Sequence, residues 1–337
     1  MRHEAMLWEK RRKNDVKCAL CAHRCLIKPG AAGVCGVRRN EGGTLYTCAY
    51  GRAIAANTDP VEKKPLYHFL PGSKAFSIAT AGCNFKCSYC QNWSISQLGN
   101  ESGCLPGEDL PPEEVVGRAV RGGCRSISYT YTEPTIFFEY AYDTAVLARQ
   151  KGLANAFVTN GYMTPEAIDK IAPVLDAANV DLKAFKGSTY ADICEARLEP
   201  VLESIRLLKK AGIWVEVTTL VVPGLNDSDE ELSSIASFIA GVSREIPWHV
   251  SRFHPDYQYD AVGATPAATI EKAVNTGRGK GLKYIYPGNM GAVSDTVCPS
   301  CGEKLLSRDL FSTEIFPAFG EDGKCGSCGE RIPGRWR

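Results

Sequence analysis

The chain lacks a surplus of either charge: 39 lysines and arginines face 38 aspartates and glutamates, a net charge of +1 over 337 residues. A general nucleic-acid binder carries a basic excess, so the sequence gives no strong nucleic-acid signal. No run of eighteen apolar residues occurs, and no transmembrane helix is expected. The opening MRHEAMLWEKRRKNDVK has charge but no apolar core, so it does not read as a secretory signal. A cytoplasmic protein is the expectation. There is no internal repeat and no low-complexity segment.

Cysteine, by contrast, is abundant, with 15 residues. In a reducing compartment these are not read as disulfides. Eleven fall into three spaced sets, a pattern that argues for metal. Cys48, Cys104, Cys124 and Cys194 stand apart and read as small buried apolar residues.

Texture divides the chain into three parts. Residues 1–72 are loop-rich. Beyond a helix-like first dozen, Gly30, Gly33, Gly36, Gly42 and Gly43 surround four cysteines, which suits a small metal-tied module. Residues 73–290 alternate short β-rich runs (74–80, 126–130, 154–159, 179–182, 214–221, 249–253) with helical patterns (112–121, 135–150, 165–175, 199–211, 228–240, 266–280). Pro111-Pro112-Glu113-Glu114, Thr164-Pro165-Glu166 and Ser228-Asp229-Glu230 are helix-start signals. Six strands alternating with helices predict a parallel sheet, with 284–286 as a further edge strand. Residues 291–337 are turn-rich and cysteine-paired.

The central set reads Cys83-x3-Cys87-x2-Cys90 and directly follows the first predicted strand of the core. Three thiolates on one tight loop hold three irons of a cubane and leave the fourth open. Soft thiolates select iron–sulfur or zinc. A zinc site wants a fourth protein ligand, and none follows in Gln91-Asn92-Trp93-Ser94. The N-terminal set, Cys18-x2-Cys21-x3-Cys25-x9-Cys35 with His23 between, suffices for zinc or a second iron–sulfur cluster, and spacing does not separate the two. The C-terminal set, Cys298-x2-Cys301 and Cys325-x2-Cys328, has the two-knuckle pattern of a zinc ribbon.

The central motif resembles that of the radical SAM superfamily. The resemblance implies an α/β fold: a partial (β/α)6 TIM-like radical SAM barrel with a small cysteine-rich N-terminal and a zinc-ribbon-like C-terminal module. It also implies a [4Fe–4S] cluster whose open iron binds S-adenosylmethionine (SAM), with Tyr89 near the adenine. Tyr131-Thr132-Glu133-Pro134 resembles the family's Gly-Gly-Glu-Pro element, which implies that Thr132 and Glu133 meet the amino group of SAM. Thr159-Asn160-Gly161 and Asp181-Leu182-Lys183 are similar to segments of pyruvate formate-lyase activating enzyme that hold the SAM carboxylate and a cation. Val158 stands where that enzyme has an aspartate. Val222-Pro223-Gly224 resembles a rim segment, and His254 matches a histidine that contacts SAM. His249, inside its strand, reads equally as a core histidine.

Residues 18–25, 59–69, 90–93 and 247–255 together resemble one branch, the AmmeMemoRadiSam system radical SAM enzymes. This branch implies AMMECR1-like and Memo-like companion proteins. Within 59–69, Lys63, Lys64, Tyr67 or His68 is expected to line the substrate side, on the view that this linker enters next to the cluster loop. The implied reaction is reductive cleavage of SAM to a 5′-deoxyadenosyl radical that takes hydrogen from a substrate. The electron comes from a reductase or a flavodoxin- or ferredoxin-type donor. A glycyl radical site in a protein, a small molecule and a nucleotide within RNA all remain open as substrate. The rival from another class is a non-catalytic zinc-binding adaptor.

Overall fold

In the computed structural model, which describes residues 3–98, 105–291 and 293–337, the alternating apolar runs assemble one eight-stranded sheet. Its strands are β1 (Ala55–Pro60), β2 (Lys74–Ala79), β3 (Ser126–Tyr129), β4 (Ala154–Thr159), β5 (Ala177–Asp181), β6 (Trp214–Val221), β7 (Trp248–Arg252) and β8 (Ile285–Gly288). Spatial order follows chain order, with β1 and β8 at the edges. Strands β2 to β8 pair in parallel throughout. Such strands are covered on both faces, and every residue of β3 is buried. The six predicted strands and the 284–286 edge are all present, shifted by no more than two residues at most ends.

Strand β1 extends the sheet into the segment that the sequence places in the N-terminal module. It runs antiparallel to β2, with Ala55 opposite Ala79 and Pro60 opposite Lys74. The linker after Pro60 therefore starts at the N-terminal end of the parallel strands.

The crossover helices are α1 (Pro112–Arg121), α2 (Phe138–Gln150), α3 (Pro165–Ile171), α4 (Gly187–Cys194), α5 (Leu198–Lys210), α6 (Asp229–Val242) and α7 (Ala267–Gly279). The start signals act as expected. Thr164 Oγ1 accepts from Ala167 N at 3.2 Å, Ser228 Oγ accepts from Glu231 N at 3.2 Å, and Pro112 occupies the first turn of α1. Helix α4 was missed, because its eight residues carry no side-chain cap and little amphipathic pattern.

The helix-like opening is corrected. Trp8–Lys10 is a strand that pairs with Val16–Cys18, which pairs with Leu26–Ile27. Leu7, Lys13 and Asn14 have positive φ, which no α-helix accommodates, and so short a segment cannot nucleate a helix alone. A second small sheet joins His3–Glu4, Thr44–Thr47 and Arg38–Glu41. At the other terminus Ser294–Val297, Lys304–Asp309 and Ser312–Ile315 form a three-stranded antiparallel sheet. No helix among the described residues is long and apolar enough to cross a membrane.

Candidate active site

Each parallel strand delivers polar residues at its C-terminal end, where barrels of this type carry their chemistry. After β2 the chain turns through Gly82, whose φ is +99°. A Cβ there would sit 3.0 Å from Val37 Cγ1 and 3.2 Å from the Cys35 carbonyl oxygen. This turn delivers Cys83, Cys87 and Cys90 to one wall of a cavity of about 570 Å³. Phe85 N donates to Cys83 Sγ at 3.4 Å, and Ser96 Oγ lies 3.2 Å from Cys90 Sγ.

Burial pushes the Cys83 and Cys90 thiols up. At Cys87 the hydrogen bond shared with Cys194, and then burial, does the same. Such thiols ionise only with a cation to compensate them, which is what metal ligation provides. Among the described residues, no three cysteine, histidine or carboxylate ligand atoms close to within 4.8 Å of one another at this loop. The buried Tyr89 hydroxyl, on a cavity-lining residue, has no hydrogen-bond partner. Three soft donors, no closed tetrahedron and a spare hydroxyl fit a cubane held by three cysteines with one edge left for a ligand.

More of the lining comes from the ends of β3, β4 and β5. Thr132, Thr159, Asn160, Asp181 and Lys183 all line the cavity. Thr132 Oγ1 donates to the Thr80 carbonyl at 2.8 Å. Asn160 Nδ2 donates to Asn84 Oδ1 at 2.7 Å and lies 3.9 Å from Cys83 Sγ, so β4 is tied to the cysteine loop. Gly161 permits this approach: its φ is +70°, and a Cβ would meet Val180 Cγ1 at 2.7 Å. Lys183 Nζ pairs with Asp181 Oδ2 at 2.9 Å. Burial favours the neutral amine of Lys183, but the Asp181 carboxylate above all holds it charged.

Glu133 departs from its expected place. It is fully buried and does not line the cavity. Its carboxylate accepts from Thr135 N at 3.0 Å, Thr159 Oγ1 at 2.7 Å, Asn160 N at 2.8 Å and the Thr135 hydroxyl. Held by these four donors, Glu133 locks the β3 and β4 loops together, and its neighbours Tyr131 and Thr132 line the cavity instead. Tyr131, in the place of a family glycine, keeps the positive φ, at 63°. Strain of about 1 kcal/mol or more is expected there, offset by hydrogen bonds of its hydroxyl to Asp59 and, at 3.3 Å, Lys64. His254 is exposed at the mouth and touches the site through Gln91, whose Nε2 donates to its Nε2 at 2.8 Å.

The linker divides. Lys63 and Lys64 reach the cavity, whereas Tyr67 and His68 do not. The lysines arrive from the N-terminal end of the barrel, not beside the cluster loop. Burial lowers Lys64 to about 8 despite its 2.6 Å contact with Asp59. His68 is buried, with Nδ1 2.7 Å from the Pro333 carbonyl and Nε2 2.6 Å from the Tyr286 hydroxyl. His249 is a satisfied core histidine, 2.6 Å from Glu216.

Of the scattered cysteines, Cys124 and Cys194 are buried, Cys48 is half-buried, and Cys104 lies outside the described residues. Cys194, at the end of α4, reaches Cys87. Asn84, Gln91 and Cys194 were missed as site residues, and no motif marks them. The C-terminal sulfurs Cys298, Cys301, Cys325 and Cys328 all lie within 4.8 Å of one another, with contacts of 3.5 and 3.7 Å, close to the edge of a zinc tetrahedron. The N-terminal Cys18, Cys21, Cys25 and Cys35 gather beside Gly82 without closing so far.

The Radical SAM superfamily profile matches residues 77–238. Uncharacterized protein MJ0808 of Methanocaldococcus jannaschii is 46% identical over 332 residues, covering 98% of each chain. Pyruvate formate-lyase 1-activating enzyme of Escherichia coli K12 is 24% identical over 225 residues, 61% of this chain and 89% of that one. Streptococcus suis SuiB, solved with bound S-adenosylmethionine, superposes with a TM-score of 0.51 at 12% identity, covering 68% of this chain and 53% of that one.

Proposed function

The chain belongs to the radical SAM superfamily, which implies a [4Fe–4S] cluster and SAM, and from that premise we propose that it cleaves SAM reductively and takes a hydrogen atom from a further substrate. The observation that carries this reading is the three-cysteine wall facing Lys183, Asp181 and Asn160 across one cavity. When bound, the reduced cluster supplies the electron that splits SAM into methionine and a 5′-deoxyadenosyl radical. Cys83, Cys87 and Cys90 would hold three of its irons.

The chain's own residues bind, orient and exclude. Lys183, held charged, is suited to a carboxylate, and Asp181 to a cationic amine. The Tyr89 ring and hydroxyl offer an aromatic face and a spare hydrogen bond to a nucleoside. Thr132, Thr159 and Asn160 line the wall that aligns the ligand, with Glu133 fixing the two loops behind them. Tyr131 and Lys64, both held by Asp59, close the far end of the cavity, where a substrate group would be read. Keeping water and stray hydrogens away from a reactive carbon is the protein's share of such chemistry.

The electron is assigned to a reductase or a flavodoxin- or ferredoxin-type donor, the ribbon to zinc, and the compartment to the reducing cytoplasm. The motifs at 18–25, 59–69 and 247–255 support the AmmeMemoRadiSam branch, with AMMECR1-like and Memo-like companions. The likeness to an activating enzyme favours a second reading of the substrate, a glycine in a partner protein.

The test is anaerobic reconstitution followed by dithionite and SAM. Formation of 5′-deoxyadenosine, with a cluster spectrum that changes on adding SAM, is the expected result. A chain that holds about four irons on residues 83–90 and leaves SAM intact would sink the proposal. Deuterium carried into 5′-deoxyadenosine from labelled candidates separates a small molecule from a glycine in a protein.

A further inference from the structure

We propose that Cys18, Cys21, Cys25 and Cys35 hold a second four-iron–four-sulfur cluster, seated against the loop that carries Cys83, and that it passes electrons to the central site. The first argument is spacing within one molecule. Four sulfurs around one zinc at about 2.3 Å stand about 3.8 Å apart. The C-terminal set meets that spacing, with contacts of 3.5 and 3.7 Å. Among the described residues, no three of the N-terminal sulfurs lie within 4.8 Å of one another. They nonetheless converge: Cys18 N donates to the Cys25 carbonyl at 2.9 Å, and Cys25 Sγ lies 3.6 Å from where a Cβ on Gly33, two residues before Cys35, would stand. A cubane needs that wider frame, because each sulfur caps a different iron.

The second argument is the lining. The guanidinium of Arg38, fully buried and paired with Glu139 on α2, places Nη1 3.1 Å from Cys18 Sγ. A buried guanidinium directed at sulfur stabilises a group with excess negative charge, as a reduced cluster has.

The third argument is place. The Cys35 carbonyl oxygen lies 3.2 Å from where a Cβ on Gly82 would stand, one residue before Cys83. His23 Nε2 lies 2.8 Å from the Asn84 carbonyl, and Cys21 bridges to Met163 just beyond Asn160. The set is therefore a neighbour of the central loop, though far from it in sequence. One electron enters from a low-potential carrier protein, which is oxidised by one electron. The N-terminal cluster is reduced from the 2+ to the 1+ state and returns to 2+ as that electron leaves for the central set. No bond or proton moves. The relay role rests on the radical SAM reading of Cys83, Cys87 and Cys90, but the metal assignment does not.

The experiment uses the full chain, reconstituted without air, with iron, sulfide and zinc counted per chain. The variants are Cys83→Ala/Cys87→Ala/Cys90→Ala and Cys21→Ala/Cys25→Ala. Each is expected to keep about four irons and four sulfides, against about eight of each in the parent chain. The triple variant decides even where the N-terminal variant fails to fold, because its iron has no central loop to occupy. A triple variant with no iron, or with a second zinc in its place, overturns the proposal. In the fully reduced parent, electron paramagnetic resonance is expected to show two mutually broadened signals that sharpen in either variant. Two independent signals overturn the relay. Iron retained by the triple variant while the parent leaves SAM uncut removes the radical reading and leaves the cluster standing.

Discussion

At the N-terminal end of the parallel strands, Glu216 accepts from Tyr67 N at 3.0 Å, His68 N at 2.8 Å, Trp214 Nε1 at 2.9 Å and His249 Nε2 at 2.6 Å. His68 in turn reaches the C-terminal module through Pro333 and Tyr286, and Arg308 donates to the Tyr67 carbonyl at 2.7 Å. At the C-terminal end the three central thiols face open volume, and the Tyr89 hydroxyl has no partner. Both ends bury polar atoms. The Glu216 carboxylate spends its acceptors on the fold, although Tyr284 Oη and Arg308 Nε near it have no partner, whereas at the other end the unpartnered Tyr89 hydroxyl belongs to a residue that lines the cavity. Buried polar groups cost free energy unless paired, so an unpaired one beside open volume is where a ligand belongs.

The largest contrast is expected at Cys87. Cys87→Ala should lower 5′-deoxyadenosine formation roughly a thousandfold or more, since two thiolates do not hold the cluster. Urea unfolding of the metal-free variant should shift by only about 1 kcal/mol. Glu216→Gln should do the reverse. Replacing a buried carboxylate that accepts from four donors by an amide leaves at least one buried N–H unpaired, which costs about 1–3 kcal/mol in urea unfolding. A cost under about 1 kcal/mol would break the comparison.

The same end should respond to acid. Burial holds His68 at about 4, below its ordinary 6.5. The unfolded chain therefore takes up the proton first. Stability is complete above pH 6.5 and falls by about 3 kcal/mol as pH drops towards 4. In His68→Asn that part of the slope should disappear from the urea midpoints. Glu216 adds to the trend in the same direction. Burial raises its carboxyl, but His249, His68 and Trp214 together outweigh burial and hold it low, so its contribution is present above the usual carboxylate range and lost as pH falls through the folded value. The smallest effect sharpens the other end. Lys183→Met should raise KM for SAM about tenfold, the loss of one charge-assisted hydrogen bond, while thermal unfolding stays near the parent.

The three-cysteine loop was legible because its ligands lie within eight residues and follow a strand, so local geometry already confines them. Thr159, Asn160, Asp181 and Lys183 were legible for a related reason: strand ends in a parallel sheet converge wherever the helices between them are long enough to cross over. Glu133 was not. Its residue type suits a cationic amine, but besides two donors of the nearby Thr135 it is held by Thr159 and Asn160, 26 and 27 residues away, and only packing brings those there. Lys64 was named for a position beside the cluster loop, yet it arrives from the far end of the barrel, because β1 runs antiparallel to β2.

Chain spacing alone determined which cysteines act together and which strand ends carry polar groups, since both follow from covalent reach and the period of the backbone. Tertiary structure alone decided how far each set of sulfurs opens and which set stands beside Gly82. It also decided which buried carboxylate serves the cavity and which serves the fold. Those outcomes depend on distances between residues remote in sequence, which the packing of sheet, helices and terminal modules sets.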